Sequence, residues 1–179
     1  MRVKGPNVTP GYWRAREATA ACFDEEGFYR SGDAGRLADA ARPEAGIVFD
    51  GRLAENFKLS TGAWVNAAAV RQAAIEAGRS LVLDAVVAGH DRDRIGVLLW
   101  ADAAAVAEAG EAEARRRIGA GLARYNAGQI GSSTKIACFD LLAPAPDAAA
   151  GELTAKGTLN AARILERRAE AVERLFGAG

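Results

Sequence analysis

Three short stretches of the 179-residue chain combine residue types that could do chemistry. In Tyr29-Arg30-Ser31-Gly32-Asp33 a Gly-Asp pair at a tight turn leaves a carboxylate beside flexible backbone, a geometry able to accept two hydrogen bonds from a ribose diol. An ordinary Asx turn accounts for the same residues. Arg52, directly behind Asp50-Gly51, could pair with a phosphate or carboxylate, or simply be solvated. Lys156, flanked by Gly151 and Gly157 in a loop ahead of a helix, could deliver positive charge to a developing anion and withdraw later, although most loop lysines only face solvent.

These residues need elements to hold them. The centre of the chain is Phe49–Val65. Ile47-Val48-Phe49 reads as a short strand ended by the turn signal Asp50-Gly51. Phe57-Lys58-Leu59 and Trp64-Val65 read as two extended pieces around a tight turn at Ser60-Thr61-Gly62. A conformational break followed by a small hairpin suits a joint between two bodies. Before it, Gly5-Pro6-Asn7 and Thr9-Pro10-Gly11 punctuate a stretch with only a short helix at Glu17–Phe23 and small apolar clusters. Residues 1–50 are therefore expected to pack on a larger body and to be poorly packed alone. The opening Arg2-Val3-Lys4-Gly5-Pro6 is read as the middle of something longer.

After the joint the pattern is regular. Asn66 caps a helix to Ala77, with Gly78 as its stop. Leu81–Ala88 and Ile95–Trp100 form a hairpin around His90–Asp93. Asp102 caps a helical region to Tyr125 that Gly110 and Gly119 weaken or divide. Lys135–Leu142 is a third strand. Pro144 and Pro146 open a loop to Thr154. Thr158–Phe176 is a helix with Leu165, Ala169, Val172 and Phe176 on one face. The fold class expected is α+β: a small domain with a three-stranded sheet, flanking helices and a short two-stranded hairpin, preceded by the tail of a larger N-terminal domain.

Bulk properties narrow the function. Acidic and basic residues balance at 23 each, so no net field draws nucleic acid or a membrane surface. No stretch is apolar enough to span a bilayer, and the expected location is cytoplasmic. Cys22 and Cys138 lack metal-binding or CxxC spacing and read as buried thiols in a reducing compartment; no metal ligands are expected. His90 and the runs Arg115-Arg116-Arg117 and Arg167-Arg168 read as solvated surface, Trp100 and Phe139 as core, and Gly131–Lys135 as a turn.

Taken in order, GYW, GFYRSGD, DGR, KLSTG and the glycine-flanked Lys156 resemble the acyl-adenylate-forming superfamily, which contains acyl-CoA synthetases, peptide-synthetase adenylation domains and firefly luciferase. KLSTGAWV and ELTAKGTLNAARILERR look most similar to the feruloyl-CoA synthetase and aryl-CoA ligase branch. The resemblance implies a large N-terminal domain joined to a small mobile C-terminal one, with residues 1–51 as the tail of the first, 52–179 as the second, and a hinge near 52–55. It implies activation of a carboxylic acid, aromatic in this branch, with ATP and Mg2+ to acyl-AMP, followed by capture by coenzyme A or a carrier-protein thiol. A non-catalytic module that kept the fold is the reading from another class.

By position, Asp33 matches the aspartate that holds the ribose hydroxyls and Arg52 the nucleotide-contacting arginine. Ala54 matches the hinge, and Lys156 the catalytic lysine of the adenylation step. Ser60, Thr61 and Gly62 match the turn lining the pantetheine channel. The sequence departs from the family wording in four places. Ala54 stands where relatives carry Asp or Lys, KLSTG is one residue longer, Lys156 precedes its glycine, and the phosphate loop is absent. The last implies that the missing N-terminal domain is the chain's partner and that this segment alone is inactive.

Overall fold

A computed structural model describes residues 1–177, which fall into two compact units, the first spanning Met1–Ala54 and the second beginning at Glu55. In the first unit, β1 (Arg2–Val3) pairs antiparallel with β2 (Tyr29–Arg30), and α1 (Arg16–Cys22) lies between them in sequence. A second ladder joins β3 (Asp33–Leu37) to β4 (Ile47–Arg52). No residue from 1 to 50 is buried, as expected for a stretch so rich in turn formers, yet its elements are well defined.

The sequence reading of Asp50-Gly51 as a turn is corrected here. β4 continues through both residues to Arg52, because β3 lies alongside as a partner. The register shifts between Asp33 and Gly35, so Asp50 and Gly51 together oppose one β3 residue. Gly51 takes a φ of 89°, which glycine adopts without steric cost, and the extra residue is absorbed as a β-bulge. Glycine here marks a bulge rather than an end.

The second unit opens with a hairpin of β5 (Phe57–Lys58) and β6 (Trp64–Val65). In α2 (Ala67–Ala77) the Asn66 Oδ1 accepts from the Ala69 amide at 3.0 Å, satisfying one of the helix's free N–H groups. The three-stranded sheet has the order β7 (Val82–Ala88), β8 (Ile95–Ala101), β9 (Ile136–Leu141). β7 and β8 are antiparallel. β9 runs parallel to β8 and is reached by a crossover through α3 (Ala103–Ala109) and α4 (Glu111–Ala127). Gly110, at φ 83°, separates these two helices, whereas Gly119 stays inside α4.

β8 is the centre of the core. Ile95, Val97 and Leu99 join Val70, Ile118 and Leu122 from α2 and α4 on one face, while Leu98 and Trp100 turn to the other. A strand covered on both sides reads as a continuous apolar run, as IGVLLW does. Each fully buried leucine of this strand contributes roughly 1.5–3 kcal/mol. The second face is covered by α5 (Ala161–Arg167) and α6 (Ala169–Gly177). Gly96 lets α6 close, since a Cβ there would come within 2.7 Å of Leu175 and 3.0 Å of the Cys138 sulfur.

The single terminal helix expected from the sequence is two helices. The helix starts later than Thr158, after its N-cap Asn160, whose side chain accepts from the Arg163 amide, and it breaks at Arg168. The apolar stripe also shifts: Ile164, Ala171 and Leu175 are buried, and Ala169 is exposed. With these adjustments the architecture is the expected α+β domain.

Candidate functional site

The candidate residues sit in three places. In the first unit, Asp33 starts β3 and Arg52 ends β4, and the ladder makes them cross-strand partners. Asp33 Oδ1 lies 3.0 Å from Arg52 Nη1, and the same Nη1 donates to the Ser31 carbonyl at 2.9 Å. Asp33 is therefore not an isolated Asx-turn carboxylate, nor is Arg52 a free surface cation. The backbone around the pair is held as well. The Asp33 amide donates to Ser31 Oγ at 3.2 Å, the Leu53 amide to the Gly32 carbonyl at 2.9 Å, and the N-terminal ammonium to the Asp33 carbonyl. Such a forked cation beside a carboxylate can meet an anion and a hydroxyl-bearing group at one spot.

Arg52 runs directly into a short 3-10 turn, Leu53–Glu55, which contains Ala54. The division between the two units falls after Ala54.

The second place is the turn between β5 and β6. Leu59 is buried and anchors it, while Ser60, Thr61 and Gly62 are exposed. Gly62 has a φ of 82°, and its amide donates to the Leu59 carbonyl at 2.8 Å. The turn is tied to the segment entering β8, because the Ser60 amide donates to the Arg92 carbonyl at 2.8 Å and the Asp91 amide to the Lys58 carbonyl at 3.1 Å. Outside the turn, Lys58 Nζ lies 5.0 Å above the exposed ring of Trp64.

The third place is the loop carrying Lys156. It is closed like a small hairpin: Leu153 bridges Leu159, the Thr154 amide donates to the Thr158 carbonyl at 2.8 Å, and the Gly157 amide to the Thr154 carbonyl at 2.9 Å. Gly157 takes a φ of 76° at the tip. The Lys156 side chain is exposed and forms no ion pair among the described residues. A charge on a short, internally bonded loop, with nothing to neutralise it, is available to an incoming anion.

The base of this loop is held by Glu152, only 2% exposed. Arg168 Nε and Nη2 donate to its two carboxylate oxygens at 2.9 and 2.7 Å, and the Asp147 amide adds a third donor at 2.8 Å. Arg168, followed by the Asp147 amide and Arg167, pulls the Glu152 carboxyl down to about 2. Arg168 also donates to the carbonyls of Pro144 and Ala145 and lies 5.3 Å over the Trp100 ring near the end of β8. The sequence reading of Arg167-Arg168 as a solvated face is thus corrected for Arg168, which is drawn inward by a buried carboxylate. The terminal helix breaks at this same residue.

His90, Gly131–Lys135 and Trp100 fall as expected, whereas Cys22 and Cys138, read as buried thiols, are only half-buried. His90 is exposed beside Asp91, and Gly131–Lys135 is a turn. Trp100 is core, its indole donating to the Pro144 carbonyl at 3.1 Å. Burial pushes the Cys138 thiol above its ordinary value, which makes it a poor nucleophile. Among the described residues no three His, Cys, Asp or Glu side chains cluster as a metal site, and no helix is long and apolar enough to cross a membrane.

Comparison with known proteins decides the family. The model of the AMP-binding enzyme C-terminal domain matches residues 55–178. The chain belongs to that family. Among curated proteins it is similar to a probable chloroplastic acyl-activating enzyme of Arabidopsis thaliana, 31% identical over 124 residues, covering 66% of this chain and 16% of the relative. It is also similar to a chloroplastic long-chain-fatty-acid–acyl-carrier-protein ligase of the same plant, 33% identical over 106 residues, covering 55% of this chain and 14% of the relative. The chain therefore spans well under a fifth of either. Among solved structures, the adenylation domain of a Segniliparus rugosus carboxylic acid reductase, in complex with AMP and a co-purified carboxylic acid, has the same fold. Its TM-score is 0.79 at 24% identity, over 99% of this chain and 28% of that one.

The matched region holds the β5–β6 turn, the Lys156 loop and its Glu152–Arg168 base. In this AMP-binding enzyme C-terminal domain, Glu152 and Arg168 were missed by sequence reasoning. The one available signal was a lone glutamate in an Ala-, Pro- and Gly-rich loop.

Proposed function

We propose that this chain is the mobile C-terminal domain, with the adjoining tail of the large domain, of an enzyme that activates a carboxylic acid with ATP as acyl-AMP and passes the acyl group to a thiol. The observation that carries this reading is the presentation of Lys156, an unpaired cation at the exposed tip of an internally bonded loop, inside the region that matches the family model. Lys156 would bridge the substrate carboxylate and the α-phosphate, stabilising the charge that develops as acyl-AMP forms and pyrophosphate leaves. Asp33 would accept from the ribose hydroxyls and Arg52 would contact the nucleotide, both on the tail at 1–51. The mobile part would be 52–179, with a hinge near 52–55 about Ala54. Ser60, Thr61 and Gly62 would line the channel for the thiol arm once the domain has turned.

The acid proposed is aromatic, similar to ferulate or coumarate, and the acceptor coenzyme A. Support comes from the wording KLSTGAWV and ELTAKGTLNAARILERR. A carrier-protein thiol is the second reading, favoured by the ligase relative whose name specifies an acyl-carrier protein. The two free cysteines support a reducing, cytoplasmic setting. The exposed stripe of Leu37, Ile47 and Phe49 along the β3–β4 ladder supports a larger body as the tail's neighbour. Among the described residues no group of His, Cys, Asp or Glu side chains offers a ligand set for Mg2+.

The test is ATP–pyrophosphate exchange by the polypeptide that carries this chain together with its large domain. Exchange stimulated by ferulate or coumarate and lost in Lys156→Ala is the expected result. Exchange unaltered by Lys156→Ala removes the lysine from its role, and no exchange with any aromatic acid removes the aromatic branch.

A further inference from the structure

We propose that Glu152 is a positioning residue, whose two-pronged contact with Arg168 holds the loop carrying Lys156 in the pose from which the lysine is delivered. The inference rests on the reading of Lys156 given above. Among the described residues Glu152 is the one charged side chain that is fully buried, and it stands where the loop begins. Its main chain closes the loop too, since the Asn160 amide donates to the Glu152 carbonyl at 2.8 Å. One residue thus ties the loop's two strands together and fastens them to the junction between α5 and α6.

Beyond that base the tip has little else to hold it. Ala155, Lys156 and Gly157 are all exposed, and the hydrogen bonds above the Leu153–Leu159 bridge run between Thr154 and Lys156, Gly157 or Thr158, inside the loop itself. Where the tip points is set by the base. The base in turn is aimed by Arg168, whose side chain is 14% exposed and is fixed by the Pro144 and Ala145 carbonyls and the Trp100 ring. A rigid fork on a buried carboxylate gives direction as well as attachment, which a single lysine contact does not. Apolar side chains of similar volume could fill the same space, and what the buried pair adds to packing is a fixed direction.

The first arm of the test is timed trypsin digestion of the 179-residue chain, following cleavage after Lys156 against cleavage after the exposed Arg79. Glu152→Gln keeps the size and an acceptor but loses the charge, and should speed cleavage at Lys156 by about fivefold or more with the Arg79 rate unchanged. Arg168→Lys keeps the charge and loses the fork. It should show a smaller acceleration, and it reads the proposal if Glu152→Gln fails to fold. The second arm, in the polypeptide with its large domain, compares exchange with thioester formation from supplied acyl adenylate. Glu152→Gln should lower kcat for exchange about tenfold or more, hold KM for ATP within about twofold, and leave the second step unchanged. Equal cleavage rates, or acceleration at both sites, overturn the positioning role, as does a parallel fall in both half-reactions. Exchange that survives Lys156→Ala overturns the purpose of the contact, whereas unchanged cleavage overturns the contact itself.

Discussion

Asp33 and Arg52 face each other across the β3–β4 ladder, with Oδ1 and Nη1 3.0 Å apart. The Arg52 side chain is 56% exposed and that of Asp33 21%. An ion pair this open to water is worth at most about 1 kcal/mol to folding. Arg52→Ala should therefore shift the urea midpoint of the chain very little. If the pair meets nucleotide, the same change should raise KM for ATP in the exchange assay by about tenfold or more, the size of one lost hydrogen bond to a charged group. An unchanged KM would leave the pair with a purely local role.

Acid should loosen the base of the Lys156 loop. Arg168, with help from the Asp147 amide and Arg167, holds the Glu152 carboxyl at about 2 against an ordinary 4.5. A carboxyl depressed on folding stabilises the native state above its unfolded value, and that contribution disappears as pH falls through the folded one. Urea midpoints of the native chain and Glu152→Gln should therefore differ above about pH 4.5 and converge towards about pH 2. A difference that stays constant across that range would show that the carboxylate's charge is not what stabilises the base.

Gly121 should be intolerant of any side chain. It is buried in α4 where α2 crosses, and a Cβ built there would lie 1.9 Å from the Ala77 carbonyl oxygen. Gly121→Ala raises helix propensity, yet it forces two helices apart and should cost about 1–3 kcal/mol or more, read as a lowered urea midpoint. Gly110→Ala is the contrast. Nothing lies within 4 Å of the added Cβ, and its effect should come only from the strained backbone at positive φ, about 1–3 kcal/mol, with no displacement of a neighbour. A Gly121→Ala chain as stable as the native one would mean that the α2–α4 crossing can relax freely.

Local chemistry was legible in the sequence, and distant partners were not. Asn66 and Asp102 were readable as caps because the amides they accept from lie within three residues, and the apolar runs of β7 and β8 follow from their own side chains. Gly110 was one of two glycines able to divide the 102–125 region, and the backbone chose the one at a positive φ. The terminal helix breaks at Arg168, whose partner Glu152 lies sixteen positions earlier, and no local pattern announces that pairing. β4 runs past Asp50-Gly51 because β3 offers a ladder. The parallel docking of β9 against β8 is likewise a choice among partners that periodicity leaves open. For the candidate site, residue types and order could be read, but the pairing of Asp33 with Arg52 and the fastening of the Lys156 loop could not.

β8 has a role beyond filling the core. The turn at Ser60–Gly62 is moored to Arg92, ahead of its first residue, and the Lys156 loop is moored through Arg168 to Trp100, near its last. At about 3.3 Å per residue the seven-residue strand is roughly 22–24 Å long. It therefore resembles an axle with one candidate loop fixed at each end, and it is buried on both faces. On the function proposed above, an axle of this kind presents its two loops to one reaction centre in succession, by turning end for end. The order of chemical steps would then be written in the orientation of a single strand.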